Sequence, residues 1–236
     1  MTLAVRAEHL AERMDDPDCS ETMLRRTYER FGLVNRAVAC WGRVYRELIR
    51  PELAALERAG HAARILDIGC GAGDVLHRLI AAARRDGFAV AGVGIDPDAR
   101  AIGAARPGPG VHFRRAYSRE LVDEGATFDL VVSNHLLHHL GADEFDALLA
   151  DSARLGERLS VHSDIARGRL AYAAFSLGAL PVAPGTFLRV DGLTSIRRSY
   201  TPAELAERLP APWRVERPGR FRLLAVHRPV SPRILP

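Results

Sequence analysis

Ile65-Leu66-Asp67-Ile68-Gly69-Cys70-Gly71-Ala72-Gly73-Asp74 is the stretch that decides the fold of this chain. Ile65, Leu66 and Ile68 form the apolar run of a strand covered on both faces. Gly69, Gly71 and Gly73 alternate behind it, and glycine is the residue for backbone that turns through positive φ or lies close against a ligand. Val75, Leu76, Leu79, Ile80 and Ala83 then recur at helical spacing. The stretch therefore predicts a short buried strand, a tight turn and the start of an amphipathic helix.

Composition bounds what can surround that unit. The chain has 236 residues, enough for one α/β domain with a cap or at most two small domains. Hydrophobic content of 47% and charged content of 26% are those of a globular protein. The net charge is +4 and there is no lysine, so every basic side chain apart from histidine is arginine. The arginines are scattered, which argues against a nucleic-acid stripe. Cys19, Cys40 and Cys70 are too few and too widely spaced for a disulfide framework or a zinc site, and a reducing cytoplasm is expected. Arg6, Glu8 and His9 interrupt any signal-peptide core, and no apolar stretch is long enough to span a bilayer.

The first ligand to consider for a glycine turn after a strand is a dinucleotide, whose fingerprint is G-x-G-x-x-G with the pyrophosphate on the helix N-terminus. Here the spacing is G-x-G-x-G, and Asp74 stands where the last glycine belongs. Asp67 precedes the turn. Two carboxylates around the loop repel a pyrophosphate and suit a cationic ligand carrying an amino group and a sulfonium. The segment resembles the first motif of the class I, Rossmann-like S-adenosylmethionine-dependent methyltransferases, (hydrophobic)-D-x-G-x-G-x-G, which Asp67 to Asp74 matches in full. The resemblance runs from about Leu24 to the C-terminus. It implies a seven-stranded, mostly parallel sheet with helices on both faces. It also implies an N-terminal helical lid over residues 1–60, a cofactor domain over 61–230 with a cap insertion at about 165–195 after the fifth strand, and a tail at 231–236. The implied cofactor is S-adenosylmethionine, leaving as S-adenosylhomocysteine, with Asp67, Gly69, Gly71, Gly73 and Asp74 around it.

Ala89 to Ile95 reads as the second strand, ending at Asp96-Pro97-Asp98. An acidic residue there, about 20 residues past the glycines, is placed to accept hydrogen bonds from ribose hydroxyls, so Asp96 is assigned to the ribose with Pro97 beside it. Asp98 fits a helix N-cap better. After the third strand, Val111 to Arg115, the family usually offers an aspartate to the adenine amino group. This chain has Ala116-Tyr117-Ser118, so Ser118 or a backbone group takes that place, and Tyr117 is available to stack. The fourth strand, Phe128 to Ser133, runs into Asn134-His135-Leu136-Leu137-His138-His139-Leu140, similar to the N-x-x-L-H-H-L of small-molecule methyltransferases. Asn134 and His135 are assigned to the cofactor side. Three histidines in five residues raise the question of a metal, but the resemblance accounts for them and no metal is expected.

From Glu21 to Arg58 the pattern is helical, with interruptions at Gly32 and Gly42 and a fresh start at Pro51. Its Tyr28, Phe31, Asn35 and Trp41 either pack on the sheet or close the pocket. Glu144 to Leu155 is a further helix. Arg158 to Ser163 is the fifth strand, with Asp164 at its end. Residues Ile165 to Val190 form an apolar cap containing Tyr172 and Phe175. Thr201, Pro202 and Glu204 spell a helix start with a capping box. Trp213 to Glu216 and Phe221 to His227 are two closing strands. Asp164-Ile165-Ala166-Arg167 and the Asp191-Gly192-x-x-Ser195-x-Arg197-Arg198-x-Tyr200 run also resemble bacterial methyltransferases found beside polyketide and quinone pathways. Arg167 and Tyr200 are assigned with the cap to the substrate side.

Methyl transfer needs an aligned nucleophile and, for a hydroxyl, a base. Histidine suits that task at neutral pH. His139 is the preferred base and His138 the other, with Asp164 to orient it; either ring also has a packing reading. The expected reaction is O-methylation of a small aromatic, phenolic or quinol acceptor. C- or N-methylation, a binding protein without turnover and, from another class, an NAD-dependent oxidoreductase are the competing readings. Neither nucleic acid nor a membrane span is expected as a partner, and a homodimer with a swapped N-terminal arm is compatible with the sequence.

Overall fold

The structure is a computed structural model that describes residues 3–229. The expected tail at 231–236 lies outside the described residues. Seven strands form one sheet in the order β3-β2-β1-β4-β5-β7-β6. They are β1 Ala63–Ile68, β2 Val90–Asp96, β3 Val111–Arg115, β4 Phe128–Asn134, β5 Gly156–Ile165, β6 Arg214–Gly219 and β7 Arg222–His227. The first five run parallel, and β7 pairs antiparallel with both β5 and β6. This is the α/β sheet expected, with strand order reversing between β1 and β4, the place where such sheets bind ligands.

Helices cover both faces. On one face α4, Asp74–Arg85, buries Val75, Leu76, Leu79, Ile80 and Ala83 against Ile65 and Val132. On the other, α7, Ala142–Leu155, lays Phe145, Leu148 and Leu149 over Leu66, Ile68 and Val131. The period-3.6 stripe and the all-apolar strand that announce these elements in sequence are the surfaces that meet.

The N-terminal helices depart from the expected breaks. Helix α1, Glu21–Val38, runs through Gly32 and ends where Cys40 adopts φ 55°. A glycine in a helix interior costs only about 1 kcal/mol, which the buried face of α1 offsets. Beyond it α2, Trp41–Val44, passes into a wide π-helical turn, Tyr45–Ile49, and then into α3, Arg50–Arg58. Pro51 lies in the first turn of α3, close to the start expected there, where its missing N–H costs nothing. Strand β5 extends two residues further than the hydrophobic pattern shows, because Asp164 and Ile165 pair with Leu223 and Arg222.

Two short helices follow β2 and β3, α5 Ala99–Ala104 and α6 Ser118–Asp123. The segment after β5 is helical, as α8 Arg169–Gly178, a 3₁₀ turn Leu180–Val182, and α9 Leu188–Arg198. Helix α1 is tied to it: Arg30 donates to the carbonyls of Val182 and Pro184, and the Phe187 N–H donates to Thr27 Oγ1. Helix α10, Pro202–Arg208, carries the capping box read from sequence, with the Glu204 N–H on Thr201 Oγ1 and the Thr201 N–H on Glu204. The residues from Leu3 onward form an arm folded over the same rim. The Ala7 N–H donates to Arg197 O, Arg6 donates to the carbonyls of Arg198 and His138, and its guanidinium lies 4.1 Å from the centre of the Tyr200 ring. No helix of the described residues is long and apolar enough to cross a membrane.

Candidate active site

The glycine turn sits at the carboxyl end of β1, and its backbone explains its composition. Gly69, Gly71 and Gly73 have φ of 67°, 54° and 82°. At Gly73 a Cβ would lie 2.3 Å from the Phe113 ring, so packing also requires glycine. At Gly71 a Cβ would meet nothing within 4 Å; it would project into open space, the cradle a closely approaching ligand needs.

Three carboxylates surround that cradle. Asp67 is fully buried, and among the described residues neither of its oxygens reaches a hydrogen-bond partner at normal geometry. Burial, and then the charges of Asp74 and Asp96, hold its carboxyl well above the usual range, with the Leu76 backbone N–H pulling the other way. Asp74 is also raised, chiefly by burial, while Asn35 Nδ2 donates to its Oδ2 at 2.9 Å. Asp96, again raised by burial, accepts the Gly71 N–H at 3.0 Å and the Asp98 N–H at 2.9 Å. These bonds fix its carboxylate at the end of β2 and leave further lone pairs for a ligand. A buried anion without partners is costly, so this trio is built for a positively charged guest.

The turn opens on a cavity of about 620 Å³, within the range of small-molecule sites. It is lined by Asp67, Gly69, Gly71, Asp74, Asp96 and Pro97 on one side. Phe31 and Val34 of α1, Ala174 and Phe175 of α8 and Ile196 of α9 make the apolar wall opposite. A wider cleft of about 990 Å³ lies between α4 and the N-terminal helices, but it contains none of the turn glycines.

The remaining wall is polar. Asn134 Oδ1 accepts the Trp41 indole N–H at 3.0 Å and a bond from Arg222, and its Nδ2 faces Asn35 Oδ1 at 3.4 Å. His135 has φ 59°, and its Nε2 accepts from Arg222 Nη1 at 3.1 Å. Burial and the Arg222 charge hold it well below the usual imidazole range, so the ring is neutral. His138 is fully buried. Its Nδ1 lies 2.7 Å from Asp164 Oδ1, its backbone N–H donates to Asp164 Oδ2, and its Nε2 lies 3.3 Å from Glu12 Oε1. Burial works against its charge, but the two carboxylates prevail and its pKa is raised to about 9, with Asp164 held low in return. At neutral pH His138 is an imidazolium with no lone pair to offer. His139, with 27% of its side chain exposed, also lines the cavity, its Nε2 3.6 Å from Glu12 and its Nδ1 3.4 Å from Asp15.

The cavity thus brings together Asp67, Gly69, Gly71, Asp74, Asp96, Pro97, Asn134, His135, His138, His139, Tyr28, Phe31, Asn35 and Phe175. Other expected members lie elsewhere. The Ser118 hydroxyl donates to Asp151 Oδ2 on α7 at 2.8 Å, and Tyr117 points to solvent with 65% exposure. Arg167 is buried under the arm, donating to the carbonyls of Leu3, Ala4 and Ser199 and pairing with Glu204. Tyr200 packs between Arg6 and Phe145. Tyr172 sits on α8 outside the cavity lining, and Trp41 is core that reaches the site only through its bond to Asn134. Asp164 acts from behind His138. The sequence reading did not single out Glu12, Met14 and Asp15 of the arm, or Arg222 of β7, all of which line the cavity. Arg222 had one signal, a charge at the edge of an otherwise apolar strand.

Comparison with known proteins agrees with this geometry. A family model described as "Methyltransferase domain" matches residues 65–157, the span from β1 into β5. The "Ubiquinone biosynthesis O-methyltransferase" of Rhizobium leguminosarum bv. trifolii (strain WSM2304) is 38% identical over 87 residues, 35% of this chain and 32% of that protein. The protein of the same name from Rhizobium etli (strain CIAT 652) is also 38% identical over 87 residues, covering 35% and 33%. The matched segment spans about a third of these curated relatives. Among solved structures, the plantazolicin methyltransferase BpumL in complex with SAH superposes with a TM-score of 0.57 at 13% identity, over 88% of this chain and 96% of that one. Its complex with a pentazolic desmethylPZN analog and SAH gives 0.54 at 16% identity, over 80% and 73%. At such identity these structures speak to the fold. By its strand order and glycine turn the chain has the Rossmann-like fold of the class I methyltransferases, and its residues 65–157 match a methyltransferase domain.

Proposed function

We propose that this protein transfers a methyl group from S-adenosylmethionine to a hydroxyl of a small aromatic or lipophilic acceptor, a phenol or quinol being the favoured class. The observation that carries this is the ring of Asp67, Asp74 and Asp96 around an open glycine turn, a surface that favours a sulfonium and an ammonium over a phosphate. In this reading Asp96 holds the ribose hydroxyls, Asp67 and Asp74 face the cationic end of the donor, and Gly71 permits close approach. Bound there, the donor supplies a methyl carbon on a cationic sulfur: the acceptor oxygen forms the new C–O bond as the C–S bond breaks, its electron pair returning to sulfur. The Arg222–Asn134–Asn35 chain holds Asp74 in place from below. Phe31 and Phe175 flank a space suited to a flat acceptor. The hydroxyl proton is drawn off through His139, the ring that the cavity wall exposes; His138, charged and clamped, positions the turn that carries it. The names of the rhizobial relatives agree with O-methylation of a quinol-like acceptor.

The N-terminal helices and the segment 165–195 serve as lid and cap over this space. The test is a methyl-transfer panel of phenols, quinols and amines, with binding of S-adenosylhomocysteine measured in parallel. The reading expects turnover on hydroxyl acceptors. His139→Ala should lower kcat by about 10²–10⁴-fold and leave S-adenosylhomocysteine affinity within about twofold. Turnover on amines alone would move the reaction to nitrogen, and binding without any turnover would leave a cofactor-binding protein.

A further inference from the structure

The corner where the arm meets the turn after β4 holds more than a base requires. We propose that Glu12, His138 and His139 form a binding site, opening into the acceptor side of the cavity, for a divalent first-row transition metal ion, which on binding displaces the proton that His138 Nε2 otherwise holds toward Glu12. Glu12 Oε1 lies 3.3 Å from His138 Nε2 and 3.6 Å from His139 Nε2, and the three donor atoms fall within 4.8 Å of one another. Donors about 2.0–2.2 Å from a shared ion stand roughly 3–3.5 Å apart at tetrahedral or octahedral angles. The two separations from Glu12 to the imidazoles are close to that size, and 3.6 Å is too long for a hydrogen bond.

The groups behind the rings point the same way. Each imidazole turns its Nδ1 to a carboxylate, His138 to Asp164 at 2.7 Å and His139 to Asp15 at 3.4 Å. A carboxylate on the far nitrogen is what fixes the tautomer and aim of a metal-bound histidine. Ser195 Oγ donates to Glu12 Oε1 at 2.7 Å and fixes the third ligand. The backbone supports the position of Glu12 as well, since the next two N–H groups, of Arg13 and Met14, both donate to the Asp191 carboxylate. Two imidazoles and one carboxylate suit zinc, cobalt, manganese or iron in the divalent state better than magnesium or calcium, which prefer oxygen.

All three ligands line the cavity, so the open positions of such an ion face the acceptor. Resting on the methyl-transfer reading, the site then deepens it. A bound ion would orient the acceptor oxygen and make its proton more acidic, with His139 serving as a ligand of the ion in place of the free base. It also joins the N-terminal arm to the rim of the sheet.

The test uses the full chain, dialysed against EDTA and titrated with Co²⁺, read by calorimetry and by visible d–d absorption. The expected result is saturable binding of a single ion, lost in His139→Ala and Glu12→Gln and weakened about tenfold or more in Asp15→Asn. Asp15 is half-exposed, so that variant keeps the test decisive if a buried substitution fails to fold. No saturable binding below millimolar Co²⁺, or binding unchanged in His139→Ala and Asp15→Asn, would overturn the site. S-Adenosylhomocysteine binding on the same samples separates the two ideas. Protein that binds it but not Co²⁺ refutes the ion alone, whereas protein that binds Co²⁺ but not S-adenosylhomocysteine keeps the site and refutes the methyl-transfer reading.

Discussion

Asp67→Asn should make the protein more stable and a poorer binder at once. Asp67 is fully buried, has no hydrogen-bond partner at normal geometry among the described residues, and faces two further carboxylates. For a buried aspartate held by donors, replacement removes charge-assisted bonds and lowers stability. Here it removes repulsion and the desolvation of a charge. The neutral amide still lacks partners, so the gain is limited to about 1 kcal/mol, or about 2–4 °C in Tm for a chain of this size. The cationic donor tells the opposite story. A hydrogen bond or ion contact to a charged group contributes about 1.5–3 kcal/mol, so affinity for S-adenosylmethionine should fall by about ten- to a hundredfold. Calorimetry gives the affinity and differential scanning the stability. The pH dependence has a definite sign. The free carboxyl titrates above its ordinary value, and a cationic ligand prefers it ionised. Wild-type affinity therefore rises with pH through that raised range and levels off above it, with proton uptake by the buffer on binding. The Asn variant should show a flatter profile. Wild-type affinity in the variant, or a loss of several degrees in Tm, would refute the reasoning.

Asp96→Ala should weaken S-adenosylhomocysteine binding by about a hundredfold or more, since it removes the acceptor for the ribose and the anchor of the Gly71 N–H; unchanged affinity by calorimetry would end the ribose assignment. Gly73→Ala should destabilise the fold by about 2–4 kcal/mol in urea unfolding. The residue has φ 82°, and a methyl group there meets the Phe113 ring at 2.3 Å. A loss below about 0.5 kcal/mol, the size of an ordinary surface change, would show that the turn is not held as described.

How much of this was legible in sequence depended on whether the cause was local. The strand, turn and helix around residue 70 were, because apolar period and glycine spacing act within ten residues. The capping box at Thr201 and Glu204 was legible for the same reason. Asp96 followed from its offset from the glycines. Gly32 misled because packing along α1 outweighs a small helix penalty. Ser118 misled because its position after β3 fits the motif, while its hydroxyl turns to Asp151 across the face of the sheet. Glu12 could not have been found at all. It lies 126 residues from His138 in a stretch with no period, and only the folding back of the arm brings them together. Arg222 meets Asn134 and His135 in the same way, through the pairing of β7 with β5.

The central claim is that carboxylates around the turn near residue 70 choose a positively charged adenosyl donor. Calorimetric titration of the purified chain with S-adenosylmethionine, S-adenosylhomocysteine and NAD tests it most directly. The account predicts stoichiometric binding of the first two and none of the third; binding of NAD, or of none of them, would contradict it.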